Sequence, residues 1–182
     1  MKDKIFYNNK GAELSAMGKY DEAEENFKLA LELAPDDYFI PYNIGFVFLK
    51  KGDKKEFIKW FDLAFENANK LVTIDAGNLK RTLALDCGLA CFEAAIYNEA
   101  LKYYDIAFSL GESSDEYWNR VGVLSFVTGK IEKAKECFEK AVSLKPDHAD
   151  ALYNLADTYD ELGLHEKASE ARARYSALTA DK

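Results

Sequence analysis

The chain is expected to be all-α, a stack of helix–turn–helix repeats, and three observations carry that expectation. Small and large apolar residues recur with a period of 34 along nearly the whole sequence. A glycine punctuates the middle of most periods, at Gly18, Gly52, Gly129 and Gly163, and a proline closes two of them, at Pro35 and Pro146. Three prolines in 182 residues, with 31% charged and 48% hydrophobic residues, favour helices over a turn-rich β architecture.

The period divides a single domain into five frames, 4–37, 38–71, 81–114, 115–148 and 149–182, with 72–80 left over. Each frame should hold two antiparallel helices. At the eighth position, where the pair crosses closely, stand Gly11, Gly45, Gly88, Gly122 and Ala156. The twentieth is small in Ala23, Ala100, Ala134 and Ala168. The twenty-fourth is a bulky knob, Phe27, Phe61, Tyr104 or Phe138, followed one turn later by Ala30, Ala64, Ala107 or Ala141. Knobs alternating with small residues let helices pack about 8–10 Å apart. The mid-frame glycines suit left-handed helix ends.

Departures from this pattern carry their own expectations. Phe57 at a small position should push its helix outward or fill a gap. Ala95-Ile96 replaces the mid-frame glycine, so that turn should differ. Pro41 falls in a first turn, where a missing N–H costs least. Arg172 replaces a knob and Tyr175 a small residue, which suits a polar-faced capping helix. In the extra segment 72–80, Gly77-Asn78 reads as a helix stop followed by an N-cap, with a neighbouring helix longer by one or two turns. The segment is either a surface extension or a hinge.

In the frame 115–148, Trp118, Val121, Gly122, Gly129, Ala134, Phe138, Ala141 and Pro146 follow the pattern W-x2-L-G-x2-Y, A-x3-F and a late proline. On these residues the chain resembles the tetratricopeptide-repeat (TPR) proteins over almost its whole length. The resemblance implies a right-handed α-solenoid whose first helices line a concave groove, through positions 2, 5, 6, 9, 12 and 13 of each frame. Carried onto this sequence, the principal groove residues are Asn9, Phe39, Tyr42, Asn43, Phe46, Leu85, Leu89, Phe92, Asn119, Val123, Phe126, Tyr153, Asn154, Asp157 and Asp160. The middle of such a groove is apolar and aromatic and its C-terminal end acidic. An apolar or amphipathic segment of another protein, with a basic end toward the fifth repeat, would match it.

Two arrangements within the family can be checked by position. A clamp for a C-terminal carboxylate would need basic and amide residues at Asn8, Ala12, Asn43, Thr82 and Asp86. Only Asn43 fits. A ladder of position-six asparagines would run through Asn9, Asn43 and Asn154 but is interrupted by Asp86 and Arg120. Those amides either bind a peptide backbone or satisfy neighbouring helices.

Other classes of function find little support. A net charge of −8 disfavours nucleic acid, and Lys50, Lys51, Lys54 and Lys55 flank a turn rather than forming a stripe. Cys87, Cys91 and Cys137 read as buried hydrophobes, and their odd number suits a reducing compartment. The sequence shows no leader and no stretch of the roughly 18 apolar residues that span a membrane, so a cytoplasmic protein is expected. His148 and His165 read as structural or solvated. Asp157, Asp160 and Glu161 lack a calcium-loop spacing. No phosphate loop, nucleophile elbow or metal motif is present, so no enzyme activity, cofactor or metal is expected. The function expected is a scaffold or adaptor that binds a partner in its groove. The alternative is a structural protein that self-associates through the same groove.

Overall fold

The computed structural model describes residues 2–72, 75–111 and 114–180, which form ten helices and no strand. These are α1 (Lys4–Ala16), α2 (Tyr20–Leu33), α3 (Phe39–Lys51), α4 (Lys54–Asn69) and α5 (Ala76–Glu93), then α6 (Tyr97–Ser109), α7 (Ser114–Val127), α8 (Ile131–Leu144), α9 (Ala149–Glu161) and α10 (His165–Thr179). Each expected frame holds one odd-numbered and one even-numbered helix. Contacts are local in sequence: α1 packs on α2, α3 on α4, α7 on α8 and α9 on α10, and α2, α4 and α8 each touch the helix that follows. The chain divides into two compact units, Met1–Glu99 and Ala100–Lys182, with the boundary in the first turn of α6.

The helix ends follow from short polar residues. Asp3 and Asp53 accept the backbone N–H of Phe6 and Glu56 as N-caps. Asp21 and Glu22 in α2, and Asp115 and Glu116 in α7, put negative charge at positive helix ends. α2 stops at Leu33 and α8 at Leu144, two residues before Pro35 and Pro146. The turns at Gly18, Gly52, Gly129 and Gly163 are left-handed, with φ between 72° and 78°.

The turn at Ala95 overturns the expectation that it would differ. Ala95 takes φ 56°, the Ala95 N–H donates to the Phe92 carbonyl at 2.9 Å, and the Ile96 N–H donates to the Cys91 carbonyl at 2.8 Å. Gly129 and Lys130 make the same two bonds at 2.9 and 2.8 Å. Closing the end of α5 this way needs one left-handed residue, and alanine accepts the strain where glycine would avoid it.

The extra segment, of which residues 73 and 74 lie outside the described residues, also differs from expectation at Gly77-Asn78. Gly77 and Asn78 do not stop a helix; they lie in the first turn of α5, whose N-cap is Asp75. Near the start of a helix the donors need no intrahelical partner, so a glycine costs little there. Asn78 Oδ1 accepts from Arg81 at 3.2 Å. The lengthening expected of a neighbouring helix is present: α5 has 18 residues where α3 and α9 have 13.

Each unit has its own interior. In the first, Phe27 and Phe61 lie under Gly11 and Gly45, and a Cβ added to Gly11 would sit 2.7 Å from the Phe27 ring. Phe57, fully buried 4.5 Å from Phe61, fills a gap rather than standing off the helix. Asn67 is 1% exposed and donates to the carbonyls of Pro35 and Asp37 at 3.0 and 3.2 Å, tying α4 to the loop between α2 and α3. In the second unit, Ala134, Phe138, Ala141, Leu152, Leu155 and Ala168 form one cluster, with Trp118, Val123, Phe126 and Tyr175 packed against it. α10 buries only Ala168 and Ala171 among its own residues, which gives the polar outer face expected of a cap.

Two substitutions test this packing. Ala95→Gly removes the left-handed strain of about 1–2 kcal/mol, less the entropy of glycine, and raises the Tm by about 2–4 °C in a calorimetric scan. Gly122→Ala places a Cβ 2.5 Å from the Phe138 ring, and chemical denaturation should show a loss of about 1–3 kcal/mol.

Candidate functional site: the faces of the first helices

On the first unit, α3 and α5 carry most of the residues expected in a groove. Phe39 stacks on Tyr42 with ring centres 5.9 Å apart, and Tyr42 meets Phe46 at 4.9 Å. The inner faces of Tyr42 and Phe46 rest on the core knob Phe61, at 5.5 and 5.2 Å. Their half-burial therefore has a packing cause. Phe39 and Leu89 are 47% and 49% exposed. Leu85 and Phe92 are partly buried, the latter 5.9 Å from Tyr97. The surface is thus a ladder of rings leading from solvent down to a buried phenylalanine.

Polar rungs join successive first helices. Asn43 Nδ2 donates to Asn8 Oδ1 at 3.0 Å, and Asn154 Nδ2 donates to Asn119 Oδ1 at 3.1 Å, each across 35 residues. Tyr42 holds the same relation to Asp86 at 3.4 Å, across 44 residues because 72–80 intervene. A rung therefore links position five of one frame to position six of the next. Asn9 stands at position six of the first frame and is exposed, while the rung to Asn43 starts from Asn8 at position five. The amides of Asn43 and Asn154 each spend a donor on the neighbouring helix, and the oxygen of each can still accept. Burial, and then the Asp86 carboxylate, push the Tyr42 hydroxyl well above its ordinary pKa, so it stays a donor.

On the second unit, α7 and α9 contribute the rest. Asn119 is 8% exposed and belongs to the packing more than to the surface. Val123, Phe126, Asn154 and Asp157 surround a small recess floored by the knob Phe138, with a volume of about 60 Å³. Tyr153, 52% exposed, lies 5.5 Å from Tyr175 of α10. The acidic end is not free charge. Arg172, displaced from the knob position, meets Asp157 at 3.2 Å and Asp160 at 2.5 Å, and His165 lies 3.1 Å from Asp160. Hydrogen bonds from Arg172, then from His165, hold the Asp160 carboxyl below its usual range. The expected pull on a basic segment is correspondingly weakened.

The groups that could do chemistry are muted. All three cysteines are buried, and burial raises the thiols of Cys87 and Cys137 above their ordinary pKa. Tyr117 and Tyr159 donate to Asp105 and Glu139 at 2.8 Å, and burial and these bonds push each hydroxyl up to about 12. Among the described residues, one trio brings ligand-type atoms together: those of Asp115, Glu116 and His148 lie within 4.8 Å of one another. The sequence alone reads His148 as structural or solvated, because 32 positions separate it from Glu116 with no motif between.

Paired helices repeated in register, with α1 hydrogen-bonded to α3, α3 to α5 and α7 to α9, are the arrangement of an interaction repeat. The chain is a tetratricopeptide-repeat protein. The tetratricopeptide-repeat models match residues 5–37 and 124–163. The human cell division cycle protein 16 homolog is 30% identical over 128 residues, 69% of this chain. The chain spans only 20% of the length of that relative. A solved double mutant of MamA RS-1 superposes with a TM-score of 0.70 at 18% identity, covering 100% of this chain and 97% of the other, a likeness of fold. YrrB, described as a TPR protein with an unusual peptide-binding site, superposes at 0.63 with 26% identity, covering 98% and 88%. The fold is one that supports protein–protein interaction. Among the described residues no helix is long and apolar enough to cross a membrane.

The buried rung has a measurable signature. Asn154→Ala leaves the buried Asn119 oxygen without its donor and should lower stability by about 1–3 kcal/mol in urea. The double variant Asn119→Leu/Asn154→Leu, which removes both partners, should lose less than the single one.

Proposed function

We propose that the protein is an adaptor without catalysis, holding an apolar segment of a partner protein on the faces of its first helices. The observation that carries this reading is exposed Phe39 stacked on Tyr42, with Tyr42 and Phe46 held from below by Phe61, and Leu89 exposed on α5. Large apolar side chains held rigid at the surface lose little entropy on binding, which favours them as anchors. The second unit has an apolar recess of its own at Val123, Phe126 and Phe138, with the Asn154 oxygen able to accept a backbone N–H beside it. With Asp157 and Asp160 engaged by Arg172, apolar contact dominates recognition and a basic end adds little. The burial available in such a contact, less the cost of association, corresponds to micromolar affinity.

The test selects binders from a displayed library of random peptides against the wild-type protein, then measures them by isothermal titration. Phe39→Asp and Leu89→Asp should each weaken binding at least tenfold, about 1.4 kcal/mol, with the helical circular dichroism unchanged. Equal affinity for wild type and both variants rejects the reading. Light scattering over a range of concentrations distinguishes the self-associating alternative, which requires oligomers that the same two substitutions dissolve.

A further inference from the structure

In the first and fourth frames the beginning and the end meet in space, and in the fourth this places three ligand-type side chains together. In the first frame the two meeting positions hold an ordinary ion pair, Lys4–Asp37 at 2.8 Å. In the fourth they hold Asp115 and His148, with Glu116 adjacent, and all three offer a ligand atom within 4.8 Å of the others. His148 is 4% exposed, and its buried Nε2 has no hydrogen-bond partner. That nitrogen lies 3.5 Å from Glu116 Oε1. Two ligands about 2.1 Å from one tetrahedral ion stand roughly 3.4 Å apart, so the spacing matches a shared metal better than a good hydrogen bond.

We propose that Asp115, Glu116 and His148 form a site for a divalent first-row transition ion, of the zinc or cobalt class, that clamps the start of α7 to the start of α9. One imidazole and two carboxylates suit such ions. Three opposing features set the affinity. Lys145 and Arg120 lie 3.8 Å from Asp115 and Glu116 and must move aside; their side chains are 50% and 30% exposed. The N-terminal ends of α7 and α9 favour anions over cations. The His148 Nδ1 accepts the Ala151 N–H at 3.4 Å, which puts the ring proton on Nε2. Coordination through Nε2 moves that proton to Nδ1 and gives up the Ala151 bond, with no net proton released. At 3.4 Å that bond is long, and its loss is small.

The experiment titrates Co²⁺ and Zn²⁺ into chelator-treated, tag-free protein, following the cobalt visible spectrum, equilibrium dialysis and amide exchange at Ala151. Wild type should take up one equivalent, and exchange at Ala151 should quicken on binding. His148→Asn keeps a side-chain acceptor to cap α9 but removes the imidazole. Glu116→Gln keeps shape but removes the charge. Each should bind at least tenfold more weakly with unchanged circular dichroism, whereas His165→Asn should bind as wild type. The proposal is overturned if wild type takes up no metal, or if His148→Asn binds as well as wild type.

Discussion

The close crossing of two helices inside the first, second and fourth frames, a phenylalanine ring seated against a glycine, is the contact on which the rest of the molecule depends. Gly11 against Phe27, Gly45 against Phe61 and Gly122 against Phe138 leave no room for a single methyl group. With the pair held this close, the second helix covers one side of the first and leaves the other side to neighbours and solvent. The fifth frame shows the rule by its exception. Arg172 has left the knob position for Asp157 and Asp160, and the opposing residue is Ala156 rather than glycine.

The same packing prepares the candidate binding face. Tyr42 and Phe46 are surface residues whose undersides are core contacts with Phe61, so their rotamers are fixed before any partner arrives. The rungs Asn8–Asn43, Tyr42–Asp86 and Asn119–Asn154 set adjacent first helices at a fixed offset. In doing so they use part of the polar capacity that a peptide backbone would otherwise meet. In the proposed binding mode this shifts recognition toward apolar anchors. Arg172 has a parallel effect on charge, since it turns two carboxylates of the expected acidic rim into partners of the last helix.

Frame ends matter as much as frame faces. In the first and fourth frames the repeat brings its first and last positions together, and the side chains there differ. An ion pair fills the place in the first frame, a histidine between two carboxylates in the fourth. One geometry thus supports a simple surface tie in one copy and a candidate metal clamp in another.

By itself the sequence determined the period, the helix pairs, the left-handed glycine turns and the glycine-to-knob contacts, because each follows from side-chain size at a fixed spacing. It also placed Phe39, Leu89 and Tyr153 on helix faces that the structure leaves exposed. Tertiary structure alone decided the rest. Ala95 adopts a glycine turn because helix closure outweighs local preference, and Gly77-Asn78 continues α5 because a helix start tolerates them. The rung to Asn43 starts from Asn8, Arg172 pairs with Asp157 and Asp160, and His148 reaches Glu116, because these are contacts between residues far apart in the chain. Local pattern sets the size and direction of a side chain, and only the packed helices choose its partner.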